Sequence, residues 1–169
     1  MKLSVAIATA DDAPTIASLL NDTALQLTTI YGKGHWSYQT SERGVLHGMQ
    51  GKSTLLIAKH KGDIVGTLRL ATKKPWAIDT AYFTQVLQVL YLTGMAVAPD
   101  LQRMGIGKYM LQQINSYVTE WPAQAVRLDA YDAAAGAGEF YRKCGYTEKG
   151  RVIYKGNPLI YFEMLFDQS

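Results

Sequence analysis

The apolar positions change period several times along the chain, and each change marks an element. Residues 2–8 alternate apolar and polar, which predicts a strand. "TADDAPTIASLLNDTALQL" then puts Ala13, Ile16, Leu20, Ala24 and Leu27 on one helical face. Asp11 or Asp12 suits the cap of that helix, and Pro14 fits its first turn, where amides have no intrahelical partner. "TTIYGKGHWSYQT" breaks the period with glycines among aromatics and predicts an irregular connection, followed by a helix over 38–49. "TLLIAKHKGDIVGTLRLAT" predicts a hairpin turning at Lys61-Gly62-Asp63, and "KKPWAIDTAYFTQ" a polar and aromatic loop. Residues 86–97, "VLQVLYLTGMAV", are almost continuously apolar, as in a central strand covered on both faces. Pro99 removes a ladder donor and ends it. From Gly107 onward Met110, Leu111, Ile114, Val118 and Trp121 form a helical stripe. Residues 125–131 alternate as a strand, and "GAGEFYRKCGY" sets Ala137, Phe140, Tyr141 and Cys144 on one side of a short helix closed by Gly145. "RVIYKGNPLIYFEMLF" holds two strands joined by Lys155-Gly156-Asn157-Pro158. No repeat or linker interrupts this series, so one mixed α and β domain is expected over residues 1–169.

Composition narrows the class. With 48% of 169 residues apolar, a sizeable core is available, and 18% charged residues is too few for a disordered chain. A net charge of +3 biases the surface mildly toward anions and falls short of a duplex-binding surface. Lys73-Lys74, Lys149, Arg151 and Lys155 lack the interleaved aromatics of a single-strand platform, so no nucleic-acid partner is expected. The lone Cys144 excludes an internal disulfide, and the short N-terminal apolar run is too brief for a signal segment. No stretch approaches the roughly 18 apolar residues of a membrane span. A cytoplasmic protein with no membrane contact is the expectation. His35, His47 and His60 are scattered without metal-ligand spacing, so no metal is expected.

"LQRMGIGKYMLQQI" (101–114) carries the chemistry. Two glycines, a glutamine and an arginine stand between a proline-terminated strand and an amphipathic helix. A Walker loop would need glycine where Gln102 stands and serine or threonine where Tyr109 stands. A dinucleotide fingerprint starting at Gly105 would need glycine at Met110. Both fail. What remains is an anion site at a helix start, with convergent amides, about half a positive charge from the helix dipole, and added charge from Arg103 and Lys108. Glycines there can also serve close packing alone. Gln102-Arg103-Met104-Gly105-Ile106-Gly107 resembles the Gln/Arg-x-x-Gly-x-Gly/Ala motif of the GCN5-related N-acetyltransferases (GNAT family). Leu128-Asp129-Ala130-Tyr131, then Ala137, Phe140-Tyr141, Lys143 and Gly145-Tyr146, match the family's next strand and helix in register. Ala134 departs from the pattern, standing where many relatives carry asparagine.

The resemblance implies an α/β GNAT-like fold: a central, mostly antiparallel sheet with splayed middle strands and about four flanking helices. It implies transfer of acetyl from acetyl-CoA to a primary amine of a small molecule or peptide within a ternary complex, without a metal. Cofactor contacts would fall on Met95, Ala96, Val97, Gln102, Arg103, Met104, Gly105, Ile106, Gly107, Lys108 and Tyr141, with the Val97 amide as oxyanion donor. Tyr141 takes the place of the family's proton donor to the leaving thiolate. The base is open between Asp129, a water held by Tyr91 and Thr93, and no dedicated base, because 80–99 contains no acid where many relatives have glutamate. Cys144 has no activating neighbour and reads as a structural cysteine. Aromatics in 31–38, 76–83 and 154–162 would wall the acceptor side or pack a homodimer interface. The alternative is an acyl-CoA-binding sensor with little or no turnover.

Overall fold

The computed structural model describes residues 1–118 and 122–166; Trp121 and the Val118 side chain, expected in the stripe of the third helix, lie outside them. In chain order the elements are β1 (Ser4–Ile7), α1 (Ala13–Tyr31), α2 (Glu42–Gly48), β2 (Ser53–His60) and β3 (Asp63–Ala71). They continue as β4 (Val89–Val97), α3 (Ile106–Val118), β5 (Ala125–Tyr131), α4 (Gly138–Lys143), β6 (Thr147–Tyr154) and β7 (Asn157–Leu165). The strands form one seven-stranded sheet in the order β1-β2-β3-β4-β5-β7-β6. Every neighbouring pair is antiparallel except β4 and β5.

Alternation along the strands divides the core into two layers. Leu56, Leu68, Leu90, Leu92, Val126, Leu128 and Phe162 face α3 and α4, where Ile106, Met110, Ile114 and Tyr141 cover them. On the opposite face Leu55 and Ile57 pack against Ala13, Ile16 and Ala17 of α1 and Val45 of α2. Further along that face Tyr91 and Tyr161 are covered by Ile78 and Phe83 from the loop before β4.

Local polar bonds move several boundaries away from the sequence-based expectation. The Asp12 carboxylate accepts from the Thr9 amide at 2.8 Å and closes a short 3-10 turn, so neither Asp11 nor Asp12 caps α1 through its side chain. The α2 helix starts at Glu42, not at 38, because Ser41 Oγ accepts the Gly44 amide at 3.0 Å. Asn21 meanwhile holds Thr40 extended by bonds to both its N–H (2.7 Å) and its carbonyl (3.0 Å). The β4 strand starts at Val89 because the Leu87 and Gln88 amides donate to the Gln124 side chain instead of to a ladder.

β4 is also less covered than its apolar run predicts. Leu90, Tyr91 and Leu92 are buried, whereas Gly94 is exposed. Against β3, Arg69 pairs with Thr93 but Thr67 pairs with Ala96, so β4 carries one extra residue around Gly94 and Met95. Gly94 has φ +58°, a conformation a side chain would strain. Such a bulge bends its strand and sharpens the local twist. On the other side of β4 the parallel pairing with β5 lasts for three residue pairs, from Val89↔Ala125 to Tyr91↔Arg127, and then stops. The middle of the sheet is open beyond that point.

A buried charge network holds the covering loop down. Arg127 on β5 and Glu163 on β7 are cross-strand partners, joined Nε to Oε2 at 3.0 Å, and Arg127 is 4% exposed. Arg127 also donates to the Thr84 carbonyl at 2.5 Å and lies over the Phe83 ring, while Thr84 Oγ1 donates to Glu163 at 2.6 Å. Removing one partner strands the other charge. Arg127→Ala therefore lowers unfolding stability in urea by about 3–5 kcal/mol, and the apolar double variant Arg127→Met/Glu163→Leu recovers most of that loss. A single variant within about 0.5 kcal/mol of wild type would show that the pair does not hold the loop.

Candidate active site between the parting strands

The turn after β4 is built for an exposed backbone. Residues 99–101 form a 3-10 turn and α3 starts at Ile106; between them Arg103 (φ +65°) and Gly105 (φ +85°) both take left-handed backbone angles. Alternation into that region makes successive N–H groups converge on one concavity. The first-turn amides of α3 add to them, since they have no intrahelical acceptor. Gln102, Arg103, Met104, Gly105 and Lys108 are exposed. Ile106 is a core residue at 1% exposure, so only its backbone is available.

The glycines do different jobs. A Cβ on Gly105 would point into open space, whereas one on Gly107 would sit 2.9 Å from Phe140 Cζ and 3.5 Å from the Met95 methyl. Gly105 thus supplies backbone angle and an open approach, and Gly107 lets α3 pack against α4 and β4. Only at Gly105 is the space over the missing Cβ open.

Beside this turn, the edge of β4 faces the gap. The Ala98 amide donates to the Val65 carbonyl, which makes Ala96 the next bonded partner of β3, opposite Thr67. Val97 is consequently turned the other way, and its carbonyl accepts Gln102 Nε2 at 3.2 Å. The Gln102 side chain fastens the turn to the strand. Among Met95, Ala96 and Val97, the alternation directs the Val97 N–H to the gap and commits Ala96 to β3.

Tyr141 is fixed from behind. α4 closes in a Schellman motif: the Tyr146 amide donates to the Tyr141 carbonyl and the Gly145 amide to that of Arg142, both at 3.0 Å, with Gly145 at φ +92°. The accompanying apolar contact is Tyr141 on Tyr146, ring centroids 5.8 Å apart. Tyr141 also packs on Phe140 and Phe162, and its hydroxyl donates to Met95 Sδ at 3.7 Å across the gap. Burial, with smaller contributions from Tyr146, Asp129 and Cys144, pushes its phenol far above the ordinary value, so it stays protonated. Cys144 next to it is half-buried and its thiol is pushed up by burial, which suits a structural residue.

Asp129 enters from the other strand. Its partner across β5 and β7 is Tyr161, and it lies on the same face as Arg127. Its carboxylate makes no hydrogen bond or ion pair among the described residues, and burial raises its pKa above the ordinary carboxylate value. Elsewhere Glu163 is paired with Arg127, Asp132 with Arg151, and Glu148 with Arg142 and Arg151. Asp129 and Tyr141 line one cavity of about 400 Å³ with Thr93, Gly94 and Met95. Tyr91 does not reach it. That ring is buried with Ile78, Phe83 and Tyr161, away from the cavity that Thr93 lines.

One wall of the cavity, Tyr131, was not expected from the sequence. Tyr131 and Trp36 line it, ring centroids 5.7 Å apart and nearly perpendicular. The signal for Tyr131 was its phase, two residues beyond Asp129 on one strand face. Of the aromatic segments expected there, 31–38 contributes Trp36 and Tyr38, whereas 76–83 and 154–162 do not line the cavity. Ile78 and Phe83 instead pack on Tyr161, whose hydroxyl donates to the Ala77 carbonyl and accepts the Asp79 amide. Ala134 is exposed in the loop before α4. No group of three or more His, Cys, Asp or Glu gathers to hold a metal among the described residues, and no described helix is long and apolar enough to cross a membrane.

A strand with a bulged, open edge, a left-handed glycine turn and a helix start in succession is a fold-level signature. Residues 18–146 match the acetyltransferase (GNAT) family. The chain belongs to that family. No curated protein matches this sequence. Among solved structures, this GNAT chain is similar to the ribosomal-protein-S18-alanine N-acetyltransferase of Escherichia coli, with 14% identity and TM-score 0.72 over 99% of this chain and 96% of that one. A Salmonella typhimurium protein assigned as an acetyltransferase and solved with its cofactor acetyl-CoA superimposes with TM-score 0.74 and 13% identity, over 99% and 95% of the two chains. The Streptococcus mutans protein smu.2055 is 22% identical, with TM-score 0.72 over 98% and 99%. The GNAT architecture of one mixed α and β sheet with flanking helices is thus common to all of them.

The two glycine roles are separable in the GNAT chain. Gly107→Ala lowers stability by about 1–3 kcal/mol through overpacking, and Phe140→Leu in the same chain restores most of it. Gly105→Ala loses about 1–2 kcal/mol to backbone strain, and Phe140→Leu gives nothing back. Thermal unfolding of the two pairs checks this; equal rescue of both would contradict the assignment.

Proposed function

We propose that the protein transfers the acetyl group of acetyl-CoA to a primary amine by direct attack in a ternary complex, residues 1–169 acting as one catalytic domain. The observation that carries this reading is that Tyr141 and the unpaired Asp129 border the same cavity at the point where β4 leaves β5. The features around 102–108 suit the diphosphate of the cosubstrate: left-handed backbone at Arg103 and Gly105, free space over Gly105, and exposed Arg103 and Lys108. The unladdered edge of β4 at Met95–Val97 suits an extended amide-bearing arm added as a short strand. When bound, the acetyl thioester supplies an electrophilic carbonyl and a sulfur leaving group.

The chain's own groups then have distinct tasks. The Val97 N–H is the donor for developing negative charge on the acyl oxygen. Asp129 takes the proton from the incoming ammonium, for which an unpaired carboxylate with a raised pKa is suited. Tyr141, held protonated by burial, gives its proton to the departing sulfur, and the Met95 contact keeps its hydroxyl toward the gap. The absence of an acid from 80–99 leaves this work to β5. Transfer in one complex needs no acyl-cysteine, in keeping with the burial of Cys144.

Thiol release from acetyl-CoA with a panel of amines tests the reading. Wild type releases thiol only when an amine is present, and Tyr141→Phe lowers kcat by about 10²-fold or more. Since the folded-state pKa of Asp129 is raised, activity falls as pH drops through a midpoint above the ordinary carboxylate value of about 3.9. Asp129→Asn removes that acidic limb and lowers kcat at neutral pH. Binding of acetyl-CoA without release of thiol from any amine would mark a sensor instead, and an unchanged limb in the Asn variant would move the base elsewhere.

A further inference from the structure

We propose that the acceptor is a small aryl-alkylamine carrying a single positive charge, its ring held in the corner between Trp36 and Tyr131 and its nitrogen directed at Asp129. The inference rests on the transfer reading above and adds the class of amine. The cavity is lined by Leu20, Ala24 and Leu27 of α1 and by the two aromatic rings. Its one acidic residue is Asp129; no lysine or arginine lines it among the described residues, and its one basic ring, His35, is exposed. An acceptor with a carboxylate or phosphate would therefore meet no lysine or arginine there, and a polyamine would bring a second ammonium that finds no second carboxylate. At about 400 Å³ the space is near the small end of ligand cavities and has to take the acetyl end of the cosubstrate as well. A ring on a short linker fits that space better than a peptide chain.

The Trp36 side is a built mount. The indole N–H donates to the Gly32 carbonyl at 2.9 Å, and Gly32, at φ +86°, ends α1. The ring lies so close over Gly34 that a Cβ there would be 2.5 Å from Trp36 Cζ2. Ser37 ties the turn to α1: its hydroxyl shares a 2.6 Å hydrogen bond with Thr28 and accepts the Gly34 amide at 3.1 Å. The indole and the Tyr131 ring meet at 72°, so their planes form a corner. A substrate ring there stacks on one wall and presents its edge to the other, the arrangement aromatic quadrupoles favour. Its protonated amine, one or two carbons away, is also attracted by both ring faces on the way to Asp129.

The test measures thiol release from acetyl-CoA with phenylethylamine, spermidine, glutamate and a short peptide with a free N-terminus. Phenylethylamine is expected to give a kcat/KM about tenfold or more above each of the others. Trp36→Ala is expected to raise the KM for phenylethylamine about tenfold, the loss of one aromatic contact, while the KM for acetyl-CoA stays within about twofold. Trp36→Phe recovers part of it. Should Trp36→Ala not fold, Gly34→Ala displaces the indole and is expected to raise the same KM. Release with spermidine, glutamate or peptide in preference to phenylethylamine overturns the inference and leaves the transfer reading standing. An unchanged phenylethylamine KM in Trp36→Ala overturns the aromatic corner. Thiol release from no amine, with acetyl-CoA bound, overturns the transfer reading and the inference with it.

Discussion

The structure depends on a parallel pairing that stops after Tyr91 and Arg127. Up to that pair the middle of the sheet is ordinary core, and beyond it two strands run on with their facing edges unladdered. Unpaired backbone inside a sheet is costly unless something satisfies it. The extra residue at Gly94 and Met95 bends β4 away, and Gln102 reaches back to occupy the Val97 carbonyl. The residues of the proposed site gather at this opening. The glycine turn follows directly from the end of β4, Asp129 and Tyr131 lie beyond the last pair on β5, and α4 brings Tyr141 across.

Charge is partitioned along a single strand face. Arg127 and Asp129 are two residues apart on β5 and point the same way, yet they do not pair. The cross-strand register gives Arg127 to Glu163, and Thr84 completes both partners. That leaves Asp129 partly buried, opposite a tyrosine and without a cation, and its pKa rises accordingly. One cross-strand pairing therefore does two things. It pins the loop that covers Tyr161, and it leaves Asp129 without a cation, where burial raises its pKa.

Much of this was legible in the sequence, for reasons that differ by element. The α1 stripe, the β2–β3 hairpin, the start of α3 and the Gly145 stop rest on short-range rules, and local chemistry decided them. The turn after β4 was legible because glycine, arginine and proline spacing is local too. The N-terminal end of α2 was misjudged because Asn21, some twenty positions earlier, holds Thr40 extended, and only then does Ser41 cap the helix. The opening of the sheet had one written sign, a glycine inside an apolar run, but an apolar run alone reads as covered core. Tyr91 was misplaced for the same reason, since its burial comes from Ile78 and Phe83 in a loop whose path the sequence does not announce. The Arg127–Glu163 pair was written as polar residues in the minority phase of two strands, "AVRLDAY" and "YFEML", and needed the register to be seen. Separate duties for Gly105 and Gly107 likewise required knowing that Phe140 lies over the second one.

The proposed transfer requires one strand edge and one turn to act together as a cradle. Amide hydrogen exchange with and without coenzyme A measures that most directly. Slowed exchange at Val97 and across 103–108 on adding coenzyme A, with no such protection on adding ATP, is the predicted result. Unaltered exchange at these amides while the coenzyme demonstrably binds, with protection arising around Arg127 or elsewhere, would contradict it.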